Sequence, residues 1–271
     1  MEKLLGLPIN ASAHGPELDH MNALVHWLML VLFVGWSLYF LFVLFLFRAG
    51  RHPKAVYEGA KGKLSKGIEV AVAIVEAILL IVYAVPAWAR RVADFPPESE
   101  ATVVRVIAQQ FAWNVHYAGA DGVFGRSRAE LVDAGRLNFI GLDPSDPAAG
   151  DDIVVQNQLH LPVGKPVIVK LTSLDVIHSF YLPQMRVKQD VIPGMEIPLW
   201  FVPTMTTPAG EQWNIACAQL CGNSHYRMKG IYAIDDQAGY EKWLADNAPK
   251  PRAVPPAAPA PEPPPAAPPH G

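Results

Sequence analysis

The stretch Cys217-Ala218-Gln219-Leu220-Cys221-Gly222-Asn223-Ser224-His225-Tyr226-Arg227-Met228 holds both cysteines of the chain, followed at short intervals by a histidine and a methionine. Thiolates, an imidazole and a thioether are soft ligands, and soft ligands select copper. Four such groups in one loop therefore predict a copper site that uses Cys217, Cys221, His225 and Met228.

A further histidine lies well upstream, in the segment Asp175-Val176-Ile177-His178-Ser179-Phe180. A histidine from a distant strand, combined with a Cys-His-Met loop, forms a blue-copper site in a β-sandwich. The second cysteine changes the number of metals, because two bridging thiolates can hold two copper ions close together. We therefore expect a dinuclear copper site in which His178 and His225 each ligate one metal.

Three other interpretations of the cysteines remain open from their spacing. Cys217 and Cys221 would form a disulfide in an oxidising compartment. A Cys-x3-Cys pair with one remote histidine also suits a membrane-anchored copper-delivery protein of thioredoxin-like fold. A structural zinc site is the third interpretation, although methionine is a poor zinc ligand. The joint spacing Cys-x3-Cys-x3-His-x2-Met, with a histidine in an upstream extended segment, favours the dinuclear copper site.

The composition indicates a membrane part, because 51% of the 271 residues are hydrophobic and the mean hydropathy is +0.17. Two apolar runs, 24–47 and 68–88, are long enough to cross a bilayer. The loop between them is rich in lysine and arginine, which places it in the cytoplasm and both flanking segments on the outer side. We expect residues 1–23 to form a short outer leader without a cleavable signal peptide, since the first apolar run starts late and lacks a basic lead-in.

The ionisable residues near these spans divide into two groups. His14, His20 and His26 have a spacing that suits no simple metal motif, and we interpret them as solvated or interfacial. Glu69 and Glu76 lie two helical turns apart and share one face of the second span. Because carboxyl groups inside a membrane are costly, they mark a proton or ion path, or a face covered by a partner membrane subunit. For Glu69, near the cytoplasmic end, interfacial snorkelling is an alternative.

From residue 101 onward the sequence changes to short β-branched or apolar runs separated by glycine and proline. These runs predict strands over 102–108, 111–117, 153–161, 166–172, 178–182, 195–203, 211–217 and 230–234, with a loop over 129–152 and a helix over 236–245. Many short strands of this kind indicate a β-sandwich. Residues 249–271 are mostly proline and alanine, so we expect a disordered or polyproline-like tail.

Three segments resemble subunit II of haem-copper cytochrome c oxidases, which carries the dinuclear CuA centre. They are the cysteine stretch 217–228, the histidine segment 175–180, and Lys188-Gln189-Asp190-Val191-Ile192-Pro193-Gly194. The resemblance covers residues from about 24 to 235 and implies a transmembrane helix hairpin (24–90) followed by an all-β cupredoxin-like sandwich domain (97–248). It implies that copper is bound by the side chains of His178, Cys217, Cys221, His225 and Met228 and by the backbone carbonyl of Gln219. Both cysteines would bridge, with His178 and Met228 completing one copper and His225 and the Gln219 carbonyl the other.

The resemblance also implies the function and the partners. Electrons would come from a cytochrome c-type donor and pass to a haem of subunit I, which carries haem a and the haem-copper site, reduces oxygen and pumps protons. The chain would then lie in a bacterial inner membrane as a multi-pass protein in contact with lipid and other oxidase subunits, with the copper domain on the periplasmic side. Nothing in the sequence indicates a nucleic-acid partner.

Three positions depart from the family pattern. Gln219 stands where the family has a glutamate that reaches a magnesium ion shared with subunit I, which argues against magnesium here. Phe111 aligns with the family's exposed tryptophan and Trp113 lies two residues further on, so electron uptake would use Phe111, Trp113 or neither. Glu76 replaces a helix proline, whereas Glu69 matches the family's glutamate at the mouth of a proton pathway.

Two related proteins are less consistent with the sequence. Quinol oxidase subunits share the fold but lack the copper ligands, and here all five ligating side chains are present. The CuA domain of a nitrous-oxide reductase would need a large catalytic domain that this sequence does not supply.

Overall fold

The computed structural model describes residues 2–54, 57–58 and 62–249, and its first part is helical. The helices are α1 (Glu2–Leu5), α2 (Gly15–Leu46), α3 (Lys63–Ile78) and α4 (Val85–Ala93), and a π-helical segment, Leu79–Ala84, joins α3 to α4 without interruption. The tail predicted to be disordered or polyproline-like lies outside the described residues, apart from its first residue, Pro249.

Two of these helical stretches are long and apolar enough to cross a membrane. Each of the stretches Gly15–Leu46 and Lys63–Ala93 contains an 18-residue segment whose mean hydropathy is 2.5. None of either segment is buried inside the protein. A core helix of a soluble protein would bury most of this surface, so the exposed apolar faces fit a lipid environment. Helix α2 begins before the predicted span because Pro16 and Glu17 favour a helical first turn.

The two carboxyl groups of the second apolar helical stretch occupy different surroundings. Glu76 lines a groove of about 300 Å³ between α2 and the stretch formed by the end of α3 and the π-helical segment, where every other lining residue is apolar. Glu69 lies nearer the predicted cytoplasmic end, with its Oε1 atom 3.5 Å from the Ser65 hydroxyl. Within the described part of the chain, neither carboxyl group has a cationic partner.

The remainder folds into two five-stranded sheets packed as a sandwich. The first sheet has the order β3-β2-β1-β5-β8 and the second the order β4-β10-β9-β6-β7. The strands are β1 (Thr102–Gln109), β2 (Ala112–Tyr117), β3 (Ile153–Gln156), β4 (Gln158–Pro162), β5 (Val167–Ser173), β6 (His178–Leu182), β7 (Val187–Val191), β8 (Ile197–Phe201), β9 (Trp213–Cys217) and β10 (Lys229–Asp235). Helix α5 (Gln237–Asn247) follows the last strand. The predicted fold class, a helix hairpin followed by an all-β sandwich, is confirmed.

The core between the sheets follows from the two-residue alternation of the strands. In β1, Val104, Val106 and Ala108 point inward and have no exposed surface. The second sheet contributes Phe180 and Trp213 from the opposite side. These rings and methyl groups meet between the sheets and form one continuous apolar layer, which supports the end of the sandwich where the cysteine loop lies.

The run 153–161, predicted as one strand, is two strands that belong to different sheets. Asn157 separates them in a left-handed conformation, with φ of 60°, which asparagine tolerates better than most residues. Its backbone N–H donates to the Trp113 carbonyl at 2.7 Å, and its Oδ1 accepts from the Trp113 N–H at 2.9 Å. This residue therefore switches the chain between sheets while satisfying the backbone of β2.

A short N-terminal segment is attached to the sandwich. Ser12 forms an antiparallel bridge with Pro203, and the Ala11 N–H donates to the Gln184 carbonyl at 2.8 Å. The Arg186 guanidinium holds Asp19 of α2 with two hydrogen bonds of 2.8 and 3.1 Å. The outer end of α2 is therefore fixed to the β-domain by both backbone and charge contacts.

The interpretation of His14 as solvated or interfacial was wrong. Its side chain lies at the junction between α2 and the sandwich and is only 6% exposed. Burial and the nearby positive charge of Arg91 lower the pKa of His14 from 6.5 to about 4, so the imidazole is neutral at physiological pH. No local pattern predicted this burial, because Arg91 and Arg186, which lie near His14, are far from it along the chain.

Candidate metal centre

The sheet register brings His178 to the cysteine loop. His178 is the first residue of β6, and β6 pairs with β9 so that Phe180 faces Cys217, the last residue of β9. The chain then turns through residues 218–228 before it enters β10, and a short 3-10 turn, His225–Arg227, closes the loop. Two neighbouring strands of one sheet thus present the upstream histidine and the loop ligands at the same edge.

The two cysteines are free thiols whose Sγ atoms lie 3.7 Å apart. A disulfide requires about 2.05 Å, so the disulfide interpretation does not describe this arrangement. Thiolates that share one metal at about 2.3 Å each, the bond length known for zinc, can lie at most about 4.6 Å apart. The observed separation therefore allows both cysteines to bind the same metal ion.

The other predicted ligands surround these sulfurs. His178 Nδ1 lies 4.0 Å from Cys217 Sγ, and His225 Nδ1 lies 3.6 Å from Cys221 Sγ. The Gln219 carbonyl oxygen is 3.2 Å from Cys217 Sγ, and Met228 Sδ is 3.7 Å from Cys221 Sγ. The six groups predicted as ligands, from the loop spacing, from His178 and from the family resemblance, are therefore gathered within one small volume.

The chemistry of this donor set decides which metal it suits. Two thiolates, two imidazoles, a thioether and one carbonyl are too soft for magnesium or calcium and exceed the four ligands of a structural zinc site. Thiolate and thioether sulfur favour copper. The residues present fit a copper centre, and the cluster of His178, Cys217 and Cys221 has its ligand atoms all within 4.8 Å of one another.

An aspartate orients the upstream histidine. The Asp175 Oδ1 atom lies 2.9 Å from His178 Nε2, which leaves Nδ1 directed at Cys217. The second ring nitrogen of a metal-binding histidine is normally held in this way by a carboxylate or carbonyl, which fixes the tautomer and raises the basicity of the ligand. Asp175 therefore belongs to the site, although no motif in the sequence identified it.

The two thiols differ in acidity. Burial opposes ionisation of Cys217, but hydrogen bonding with His178 and the loop backbone lowers its pKa to about 6. Burial and the adjacent Cys217 raise the pKa of Cys221 to about 12. The metal-free site therefore carries one thiolate at neutral pH, and a bound cation would displace the proton from the second sulfur.

The two aromatic residues proposed for electron uptake have different exposure. Trp113 is fully buried, with its ring 5.5 Å from that of Phe180 and edge-on to His178. Phe111 is partly exposed and packs against Gly222 of the cysteine loop. Of the two, only Phe111 offers a surface that a donor protein could touch.

Glu69 lies in α3, in the helical part of the chain, and is not part of this site.

The sequence of this chain is similar to that of one family of known proteins. Residues 102–233 match the family model described as "Cytochrome C oxidase subunit II, periplasmic domain". The "Alternative cytochrome c oxidase subunit 2" of Bradyrhizobium diazoefficiens is 33% identical over 232 residues, which cover 84% of this chain and 79% of that protein. The "Cytochrome c oxidase subunit 2" of Cereibacter sphaeroides is 27% identical over 255 residues, covering 84% of this chain and 78% of that protein.

Among solved structures, the periplasmic domain of subunit II of cytochrome oxidase from Bradyrhizobium japonicum is 26% identical and covers 54% of this chain and 92% of that domain, with a TM-score of 0.38. The two five-stranded sheets pack face to face as a sandwich, which is not a thioredoxin-like fold. The structure therefore excludes a copper-delivery protein of that fold. Because a relative at 33% identity aligns over most of both chains, and because the β-domain matches the family model, this chain belongs to the cytochrome c oxidase subunit II family and is a component of that oxidoreductase.

Proposed function

We propose that this chain is the electron-accepting subunit of a cytochrome c oxidase and that its cysteine loop, with His178, holds a dinuclear CuA centre. The observation that carries the proposal is the 3.7 Å separation of the Cys217 and Cys221 sulfurs, with an imidazole nitrogen beside each of them. A pair of bridging thiolates flanked by one histidine on each side is the ligand set that a dinuclear copper centre needs.

The proposed ligand assignment uses all six gathered groups. Cys217 and Cys221 would hold the copper ions together. His178 and Met228 would complete the ligands of one copper, and His225 and the Gln219 carbonyl those of the other. When bound, the copper pair accepts and releases one electron at a time. Gln219 has no carboxylate to offer, so we do not include magnesium.

The protein fold holds these ligands rigidly and shields them from water. Cys217 and His178 are held by paired strands, and Asp175 fixes the His178 ring. Met228 and Cys221 are 2% and 4% exposed, and the rings of Trp113 and Phe180 lie beneath the site. A rigid ligand set changes little between redox states, so little reorganisation opposes electron transfer, and the apolar surroundings tune the reduction potential.

The electron donor that we propose is a cytochrome c-type protein, and the acceptor is a haem of oxidase subunit I, where oxygen is reduced and protons are pumped. Between residues 94 and 235 the sequence has 15 acidic residues and 10 lysines and arginines. This excess of negative charge would steer a basic donor toward the β-domain.

For the membrane arrangement, we propose that both helices of the hairpin (24–90) span a bacterial inner membrane and contact subunit I, other subunits and lipid. The β-domain (97–248) then lies on the periplasmic side. The apolar, unburied helix surfaces and the basic loop between the helices support this orientation.

The experiment that tests the proposed function uses the full-length chain, purified in detergent, reduced and then loaded with copper. Copper per chain is measured by mass spectrometry, and the distribution of the unpaired electron by paramagnetic resonance. We expect a pair of copper ions per chain that share one unpaired electron equally. Cys217→Ser and Cys221→Ser should each abolish that signal.

His20→Gln is the matched control, because His20 is an exposed histidine of α2 outside the site. It should retain the copper content and the spectrum of the parent chain. A single copper ion that a chelator removes easily would contradict the proposal and favour copper delivery instead.

A further inference from the structure

The turn between β1 and β2 reaches the proposed copper site from a distant part of the sequence. This turn consists of Gln110 and Phe111, and it contacts the cysteine loop across 111 positions of the chain. The turn contributes none of the six predicted ligands. Its contacts are nevertheless directed at the two segments that carry them.

Gln110 makes one hydrogen bond to each of these segments. Its side-chain Nε2 donates to the carbonyl oxygen of Cys221 at 2.7 Å, and its backbone N–H donates to Oδ2 of Asp175 at 2.6 Å. The assignment of the side-chain amide is fixed by chemistry, because a carbonyl oxygen accepts only from the NH₂ group. One residue thus connects the loop cysteine to the segment before His178.

Asp175 extends this connection to the histidine ligand. Its second oxygen, Oδ1, lies 2.9 Å from His178 Nε2 and also accepts from the Val176 N–H at 2.7 Å. The carboxylate is therefore shared between Gln110 and His178. A continuous chain of hydrogen bonds runs from the Cys221 backbone through Gln110 and Asp175 to the His178 ring.

Gly222 allows the turn to come this close. It has a φ of 137°, and a Cβ atom at this position would lie 2.7 Å from Gln110 Nε2 and 3.0 Å from Phe111 Cζ. A side chain here would push the turn away from the loop, and left-handed backbone of this kind favours glycine. The residue that follows Cys221 is thus suited to the contact with Gln110.

We propose that Gln110 is a positioning residue of the copper centre, which sets Cys221 relative to His178 through its two hydrogen bonds. The inference rests on the proposed dinuclear site and adds a residue that acts on it through other groups. Without the Gln110 amide, the partly buried Cys221 carbonyl loses its partner, and the loop can relax away from the histidine. The geometry of the bridging sulfur would then change, and with it the reduction potential of the centre.

The test uses the full-length, copper-loaded chain with Gln110→Ala and Gln110→Asn. The alanine variant removes the bond to Cys221 but keeps the backbone N–H that donates to Asp175. The asparagine variant keeps the amide but shortens its reach by one methylene. It should show the same changes at the copper site, and it provides the test if the alanine variant folds poorly. Loss of a residue that orients ligands costs about tenfold or more in metal affinity, so we expect copper release to a chelator to be about tenfold faster. The copper hyperfine splitting and the midpoint potential should shift as well.

Gln109→Ala is the matched control, because Gln109 is the adjacent glutamine and bonds to Asn114, away from the cysteine loop. It should leave copper release, spectrum and potential as in the parent chain. If both Gln110 variants also match the parent in all three measurements, the positioning role is refuted while the copper centre stands. If the parent chain itself binds no copper pair, the proposed function fails, and this inference fails with it.

Discussion

The indole ring of Trp113 lies edge-on to the imidazole of His178, with the ring centroids 6.1 Å apart, and has no exposed surface. The tryptophan therefore forms the floor of the proposed copper site and cannot be touched by a donor protein. Its role is to pack beneath a ligand, and this distinguishes it from Phe111.

Trp113→Ala should destabilise the β-domain by about 3–5 kcal/mol, since it removes a large ring from a closely packed core. Trp113→Phe keeps an aromatic ring under His178 and should cost clearly less. Denaturant unfolding of the full-length chain, followed together with copper content, measures both effects. A loss below about 1 kcal/mol in the alanine variant would show that the site does not depend on this ring.

Phe111→Ala in the assembled oxidase should slow electron uptake from a reduced cytochrome c donor by about fivefold or more, as when an aromatic contact is removed from a docking surface. Stopped-flow oxidation of the donor measures the rate, and the paramagnetic resonance spectrum checks that the copper centre is intact. Tyr226→Ala is the comparison, because Tyr226 is 81% exposed on the cysteine loop. If only the Tyr226 variant is slow, uptake occurs on that side of the loop and not at Phe111.

Alkylation of the reduced, copper-free chain should distinguish the two cysteines. Because the pKa of Cys217 is lowered to about 6, its thiolate is present above that pH, and iodoacetamide should modify it at neutral pH. The pKa of Cys221 is raised to about 12, so it should react slowly until the solution is strongly alkaline. Peptide mass spectrometry over a pH series measures each rate, and equal rates at pH 7 would contradict the predicted asymmetry.

The attachment of the N-terminal segment should weaken in acid. The folded-state pKa of His14 is lowered to about 4, whereas the unfolded chain takes up its proton near 6.5. A lowered histidine pKa means that the folded state binds the proton less well, so the stabilisation is complete above pH 6.5 and is lost as pH falls toward 4. The largest effect that this shift allows is about 3 kcal/mol.

Hydrogen-exchange protection of residues 11–13, corrected for the intrinsic pH dependence of exchange, measures this effect. His14→Gln cannot titrate and should give protection that stays flat between pH 6.5 and 4. Identical pH profiles for the parent and this variant would remove His14 as the cause.

Glu69→Gln in the assembled oxidase should slow proton uptake from the cytoplasmic side, because the substitution removes the carboxyl group that would take up the proton. Glu241→Gln is the control, because Glu241 is an exposed glutamate of α5, outside the helical stretch that carries Glu69. Proton uptake is followed with a pH dye during turnover. An unchanged rate in the Glu69 variant would exclude the proposed role.

Local sequence was sufficient to predict the four candidate ligands of the cysteine loop and the class of fold. Cys217, Cys221, His225 and Met228 lie within twelve consecutive residues, so their spacing alone restricts them to one small volume. Likewise, the apolar runs have the length of a bilayer, and the short alternating runs have the period of strands. These properties depend on neighbours in the chain and do not require knowledge of the final packing.

Burial and long-range hydrogen bonding were decided only by the tertiary structure. Phe111 and Trp113 are two residues apart in the sequence, yet one is partly exposed and the other lies in the core, because Phe111 lies in the turn between β1 and β2 whereas Trp113 lies within β2. His14 is buried near Arg91 of α4, and Gln110 bonds to a cysteine 111 positions away. Such contacts arise from the register of the sheets and the closure of the sandwich. Both are set by the sum of many distant interactions, so no local pattern in the sequence specifies them.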